Sequence, residues 1–259
     1  KGGISVAAAD LDGNAHADNI IVGSGPGTDS RVTVFSSTLP TLGATPEVFS
    51  TFTPYPGSRS GVTLATGTVD VGTGRPSIVT APGPGEPARI KTFRYDLYSP
   101  TEAARARGGT TDPGRDPAMT AEFDAYDPAY TGGVSLSTGW VAGAEGGAQS
   151  VITGQLTGPG EVRVWSTGSR LDGGPAMYLH SPEHHAAMTE FAQIASFTPF
   201  PAQAGVRVAT SSTTTGADLI VSGMGPGGSE VRKYGLARPE PAARAVAPTL
   251  LTTLPPLPA

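Results

Sequence analysis

The chain has 259 residues, and its 36 glycines and 25 prolines interrupt helices so often that a helical bundle is excluded. The 17 Lys and Arg against 22 Asp and Glu give a net charge of -5 without a long run of one sign, which argues against a nucleic-acid groove. No stretch approaches the roughly 20 consecutive apolar residues of a spanning helix, and the absence of cysteine excludes disulfides and thiolate metal sites.

The apolar positions fall in short runs rich in Val, Ile and Thr, which predicts many short strands. The first is Gly3-Ile4-Ser5-Val6-Ala7, and it recurs at Gly61-Val62-Thr63-Leu64-Ala65, Gly133-Val134-Ser135-Leu136-Ser137 and Gly205-Val206-Arg207-Val208-Ala209. A second apolar run follows each copy and ends in a glycine turn: Ile20-Ile21-Val22 before Gly25-Pro26-Gly27, Ile78-Val79 before Gly83-Pro84-Gly85, Val151-Ile152 before Gly158-Pro159-Gly160, and Leu219-Ile220-Val221 before Gly225-Pro226-Gly227. Third strands are expected at 31–35, 89–93, 161–165 and 230–234, each alternating with period two and ending in an aromatic residue. Fourth elements are expected at 49–56, 123–128, 197–201 and 251–258.

Four strands per unit, joined by Gly-Pro turns and repeated in one order, predict an all-β fold: a β-propeller of four-stranded blades with four units visible. A β-sandwich is the alternative, but it has no reason to repeat strand order with matching turns. The units run 3–60, 61–132, 133–204 and 205–259 within a single domain, with inserts at about 97–121 and 168–194. They fit a complete four-bladed ring or four blades of a longer array. Ser99-Pro100-Thr101-Glu102 resembles a capped helix start, and Ser181-Pro182-Glu183 predicts a second short helix through Ile194. The chain begins at Lys1 without an initiator Met, which leaves room for a leader or upstream region.

The sharpest chemical motif is Asp10-Leu11-Asp12-Gly13-Asn14-Ala15-His16-Ala17-Asp18. Asp10, Asp12, Asn14 and Asp18 offer side-chain oxygens at alternating places in a loop that Gly13 allows to turn, and His16 would add its backbone carbonyl. Such an oxygen set suits Ca²⁺, one site in unit one; an acidic turn without an ion is the other reading. The distal Glu and flanking helices of an EF-hand are missing. The motif, followed by Ile20-Ile21-Val22-Gly23-Ser24-Gly25-Pro26-Gly27, resembles the FG-GAP/VCBS repeat of calcium-binding β-propellers, the class also found in integrin α-subunit heads. The resemblance covers the chain as four units, with the metal motif intact only in the first. At the same loop unit two offers Thr68, Asp70, Gly72 and Pro76, unit three Trp140, Ala142 and Glu145, and unit four Ser212, Thr214 and Asp218, and these are read as turns that lost their metal.

Other clusters are weaker. His180, His184 and His185 suggest a metal- or haem-handling site, but Pro182 interrupts the helical spacing and the order does not match H-E-x-x-H. Glu122, Asp124 and Asp127 are the candidates for a carbohydrate-active or glycan-binding site, and loop roles explain them as well. Arg89, Arg105, Arg107 and Arg115 alternate with acids and read as solvated. Phe52, Tyr55, Tyr126, Phe197 and Phe200 recur at unit junctions and are expected to pack one blade on the next. No nucleophile elbow or phosphate loop occurs, and the chain is not expected to be an enzyme. The expectation is a calcium-stabilised protein-binding or assembly module, secreted, surface-exposed or periplasmic, with a protein partner, no nucleic acid and no membrane span.

Overall fold

The computed structural model describes residues 2–11, 19–36, 46–70, 75–95, 117–140, 148–167, 179–181, 184–188, 190–200, 205–213, 216–224, 230–236 and 248–254. They form four antiparallel four-stranded sheets and one hairpin. The first sheet contains β1 (Ile4–Ala9), β2 (Asn19–Ser24), β3 (Val32–Phe35) and β4 (Val48–Phe52). The second contains β5 (Val62–Gly67), β6 (Ser77–Pro82), β7 (Arg89–Arg94) and β8 (Ala118–Asp124). The third begins with β9 (Val134–Gly139), β10 (Ser150–Gln155) and β11 (Val162–Ser166); the hairpin of β12 (Leu179–Ser181) and β13 (His184–Met188) intervenes before β14 (Ala192–Phe197) closes the sheet. The fourth contains β15 (Val206–Thr213), β16 (Gly216–Gly223), β17 (Val231–Leu236) and β18 (Pro248–Leu254). Each sheet pairs its strands in chain order, which is the up-and-down order of a propeller blade.

The units match in detail. In every sheet the ladder between the third and fourth strands carries a bulge at the same place: between Val34 and Phe35, Thr92 and Phe93, Val164 and Trp165, and Lys233 and Tyr234. The extra residue on the fourth strand is Phe49, Thr120, Ile194 or Leu251, and a bulge there bends and twists the outer edge of the blade.

Three apolar cores hold the array together, one at each junction between consecutive sheets. Ile21, Val32, Val34, Phe49 and Phe52 of unit one cover Val62, Leu64 and Ile78 of unit two. Val79, Ala81 and Ile90 of unit two meet Val134, Leu136 and Val151 of unit three. Ile152, Val162, Val164 and Ile194 of unit three meet Val206, Val208 and Leu219 of unit four. At each junction the forward face of one sheet thus covers the back face of the next. The alternation along each strand supplies one set of side chains to each face.

Polar links repeat along with the apolar ones. The Thr66 hydroxyl donates to the Ala8 carbonyl (2.7 Å), Thr138 to Thr66 (2.5 Å) and Thr210 to Thr138 (2.6 Å), so one hydroxyl per junction ties the inner strands together. Lys91 lies over the Tyr55 ring and donates to the Pro54 carbonyl. Arg163 does the same over Tyr126 and to Ala125, and Arg232 over Phe200 and to Pro199. A cation on each third strand therefore clamps the aromatic residue where the preceding unit ends. The Tyr55 hydroxyl donates to the Arg89 carbonyl and the Tyr126 hydroxyl to the Glu161 carbonyl, again at matching positions. Burial pushes both phenols well above the usual tyrosine range, so they stay protonated donors.

Two expectations need correction. The fourth strands begin earlier than expected and end inside the expected segments, at Phe52, Asp124, Phe197 and Leu254. The Pro-containing segments after them cannot donate to a ladder at proline, and in the first three units they carry the junction aromatics instead. The helix expected from Ser181 through Ile194 is replaced by β13 and the start of β14, because strand pairing overrides the local helix-start signal. The Ser99 helix start lies outside the described residues.

The glycine that opens units two, three and four has a physical reason. Gly61 has φ +86°, and a Cβ there would lie 2.8 Å from the Pro26 nitrogen in the turn of the preceding unit. Gly3 has nothing within 4 Å of the same point. Gly61→Ala is therefore expected to lower stability by about 1–3 kcal/mol, whereas Gly3→Ala stays within about 0.5 kcal/mol, as read from chemical unfolding midpoints at constant m-value.

Candidate cation-binding loop

The acidic motif joins β1 to β2. Asp10 directly follows β1 and is half-buried, and Leu11 after it is buried. Asp12, Asn14, His16 and Asp18 lie outside the described residues, so of the five expected ligands the structure places Asp10 alone. At the far end of the loop, Asn19 is fully buried and its Oδ1 accepts from the Leu11 N–H at 2.9 Å. The Asn19 side chain thus ties the exit of the loop to its entrance. The sequence reading passed over Asn19, although its position immediately after Asp18 was the available signal.

The acid of the equivalent hairpin in unit two is met by a cation from the third strand. Asp70, which stands where Asp12 stands in unit one, is almost completely buried. Its Oδ2 accepts from the Ser77 hydroxyl at 2.6 Å, the Thr120 hydroxyl at 3.2 Å and the Arg94 guanidinium at 3.4 Å. Ser77 occupies the position of Asn19, and Thr120 is the bulge residue of β8. Arg94 supplies positive charge to this acid from the end of the third strand.

Unit four repeats the principle with different residues. Asp218, again at the Asn19 position, pairs with Lys233 at 2.6 Å. In unit one the positions of Arg94 and Lys233 are taken by Ser36 and Val34, neither of which carries charge. A loop rich in Asp thus sits on a unit whose third strand offers no cation at either place; unit three, with Ser166 and Val164 there, offers none either, but it has Ser150 and not an acid at the Asn19 position. This is the chemistry a divalent ion would fit: hard oxygen donors at a hairpin whose counterparts in units two and four are met by a guanidinium or an ammonium. Among the described residues no three His, Asp or Glu side chains gather as a metal cluster.

The remaining candidates fall elsewhere. His180 lies on β12, and His184 and His185 are consecutive residues of β13, in a hairpin that packs against β8 rather than on one turn of helix. Glu122 and Asp124 both pair with Arg89, at 3.2 and 3.1 Å, and Asp127 accepts from the Ala129 N–H, so these acids are engaged in strand and turn contacts. Arg105, Arg107 and Arg115 lie outside the described residues. The junction aromatics behave as expected, with Phe52 on Phe93 and Phe197 on Tyr234, both at 4.9 Å. At Glu161 burial would raise the carboxyl pKa, but the two-pronged Arg163 contact and the Ser196 hydroxyl outweigh it and hold the group below the usual carboxylate range.

Comparison with protein-family models and with curated proteins finds no match for the chain. The unit-two cluster gives the clearest test of the local charge logic. Arg94→Met removes the guanidinium from a carboxylate with almost no solvent access, and a loss of about 2–4 kcal/mol in unfolding free energy is expected. The double variant Arg94→Met, Asp70→Asn should recover part of that loss in the same denaturant titration.

Proposed function

We propose that this chain is a calcium-stabilised β-propeller module of the FG-GAP/VCBS type, acting outside the cytoplasm as a protein-binding or assembly element. One observation carries the reading. The Asp-rich loop belongs to unit one, where Ser36 and Val34 replace the cations that accompany the hairpin acids of units two and four. Asp10, Asp12, Asn14 and Asp18 would hold the ion through side-chain oxygens, and His16 through its carbonyl. The ion would supply charge neutralisation and a fixed loop, the service that Arg94 performs for Asp70. Asn19, which already joins both ends of the loop, would lower the entropy lost when the loop closes on the ion. Millimolar calcium outside cells suffices for a site of modest affinity, which supports the extracytoplasmic assignment.

An array of sheets stacked face to face exposes wide loop surfaces at both ends of its strands, a form suited to holding a protein partner. Fold alone does not select an activity, so the reading rests on the loop. Thermal unfolding in Ca²⁺ and in EGTA tests it. At a free ion concentration 100 times the dissociation constant, native-state binding adds about 2.7 kcal/mol, seen as a higher Tm, and Asp10→Ala with Asp12→Ala should abolish the difference. An unchanged Tm in Ca²⁺ would reduce the loop to an acidic turn and remove the basis of the proposal.

A further inference from the structure

In units one and two, the hairpin between the first and second strands sends an apolar side chain into the junction with the following unit. In unit one it is Leu11, which lies between Asp10 and Asp12 in the chain and is 5% exposed. Leu11 belongs to the core shared with Leu64, Phe93 and Tyr95 of unit two. Val69 holds the same place in unit two, two residues past the Gly67 and Ser77 pair, as Leu11 is two residues past the Ala9 and Asn19 pair. It is fully buried, in the core shared with Val134, Leu136 and Trp165 of unit three. Val141, at this place in unit three, lies outside the described residues.

The following unit holds each of these junctions with residues at matching positions. Tyr95, two residues past Phe93, packs edge-on against Phe49 of unit one and shares a hydrogen bond of 2.6 Å with the Ser50 hydroxyl. Thr167, two residues past Trp165, donates its hydroxyl to the Val69 carbonyl at 2.8 Å. Gln149 of unit three adds two bonds to the same hairpin: its Oε1 accepts from the Thr68 N–H at 2.9 Å, and its own N–H donates to the Thr68 carbonyl at 2.6 Å. In unit two the buried Val69 is followed directly by the acid Asp70, and the two side chains make opposite demands. The apolar group is stabilised by leaving water, whereas an ionised carboxylate resists that move unless a cation meets it. Arg94, Ser77 and Thr120 satisfy Asp70 in place, so Val69 stays seated between units two and three.

We propose that Leu11 and Val69 are positioning residues that couple charge compensation in a hairpin to the stacking of the next unit. Arg94 seats unit three on unit two from within the protein, and a cation taken up by the Asp-rich loop seats unit two on unit one. The coupling is reciprocal: an ion that favours the docked Leu11 is bound more tightly when Leu11 is docked. In unit one this rests on the calcium reading, and in unit two it does not. Calcium thereby acts on one junction of the array and leaves the others as they are.

Three amides report on the junctions one at a time, because each donates to a side chain of the neighbouring unit: Leu64 to Ser5 at 3.0 Å, Thr68 to Gln149 at 2.9 Å and Val208 to Ser135 at 3.1 Å. Their hydrogen exchange in the whole chain, followed by NMR, is the test. Arg94→Met should speed exchange at Thr68 and Gln149 about tenfold more than at Val208. Val69→Ala should add little to that change, since either substitution releases the same contact. Replacing Ca²⁺ by EGTA should speed Leu64 selectively. Leu11→Ala should remove that calcium dependence and weaken calcium binding, read by titration calorimetry, about tenfold; Leu11→Val serves in its place if the alanine variant does not fold. Ile152→Val, in the core between units three and four, should speed Val208 and leave calcium affinity unchanged. Equal acceleration of Thr68 and Val208 by Arg94→Met, or additive effects of Val69→Ala and Arg94→Met, would overturn the coupling. A calcium-dependent rise in Tm with Leu64 and Val208 responding alike would leave the calcium reading standing and overturn the coupling in unit one. No calcium binding at all would remove both for unit one, while the unit-two variants would still decide the coupling there.

Discussion

Burial of one sheet against the next is the constraint on which the molecule depends. A four-stranded sheet has two faces, and the fully buried positions Ile21, Ile78, Ile90, Ile152 and Leu219 all lie at junctions between sheets. At roughly 25 cal/mol per Å² of apolar surface, such contacts are the main favourable contribution an array of this kind can draw on. A unit in isolation would leave both faces in water and would not hold its shape, as is general for stacked repeats. The repeated hydroxyl and cation–π links then fix the register and direction of stacking, because each connects a specific residue of one unit with a specific residue of the unit before it. Directionality follows from chemistry: the cation is always on the later unit and the aromatic ring on the earlier one.

With the cores settled at the junctions, variation is left to the ends of the strands. The hairpins between first and second strands show how one structural need, compensating an acid near a buried strand end, is met differently in different units. Arg94 serves Asp70, Lys233 serves Asp218, and the Asp-rich loop of unit one is read as recruiting its cation from solution. An organic cation is permanent, whereas a bound ion responds to its surroundings. On that reading the hairpin of unit one is a place where stability responds to the medium.

Much of this organisation was legible in the sequence, and the reasons are physical. Glycine opens units two, three and four because a Cβ would meet the preceding turn, so Gly61, Gly133 and Gly205 mark the period. Strand alternation marked the faces, and the junction aromatics were recognised as packing residues. The fourth strands were misplaced because Phe and Tyr next to proline look like strand ends, whereas Tyr55, Tyr126 and Phe200 sit in exit segments that reach over the following unit. The segment from Ser181 carried a sound helix-start signal and was overridden by pairing between β12 and β13. At the candidate site, Asp10 to Asp18 were visible as a motif. Arg94, Thr120 and Lys233 were not, since each comes from a distant strand and meets its acid only through sheet register. Asn19 was hidden for another reason, as it reads equally well as the first residue of a strand.

Native-state hydrogen exchange tests the stacking account most directly, because it reports opening free energy strand by strand. The four second strands are equivalent in pairing, so differences among them isolate the effect of covering the sheet. The account predicts that β6 and β10, in sheets covered on both faces, exchange most slowly, and that β2 and β16, in sheets covered on one face, exchange faster. Equal protection in all four, or greater protection in β2 and β16, would contradict it.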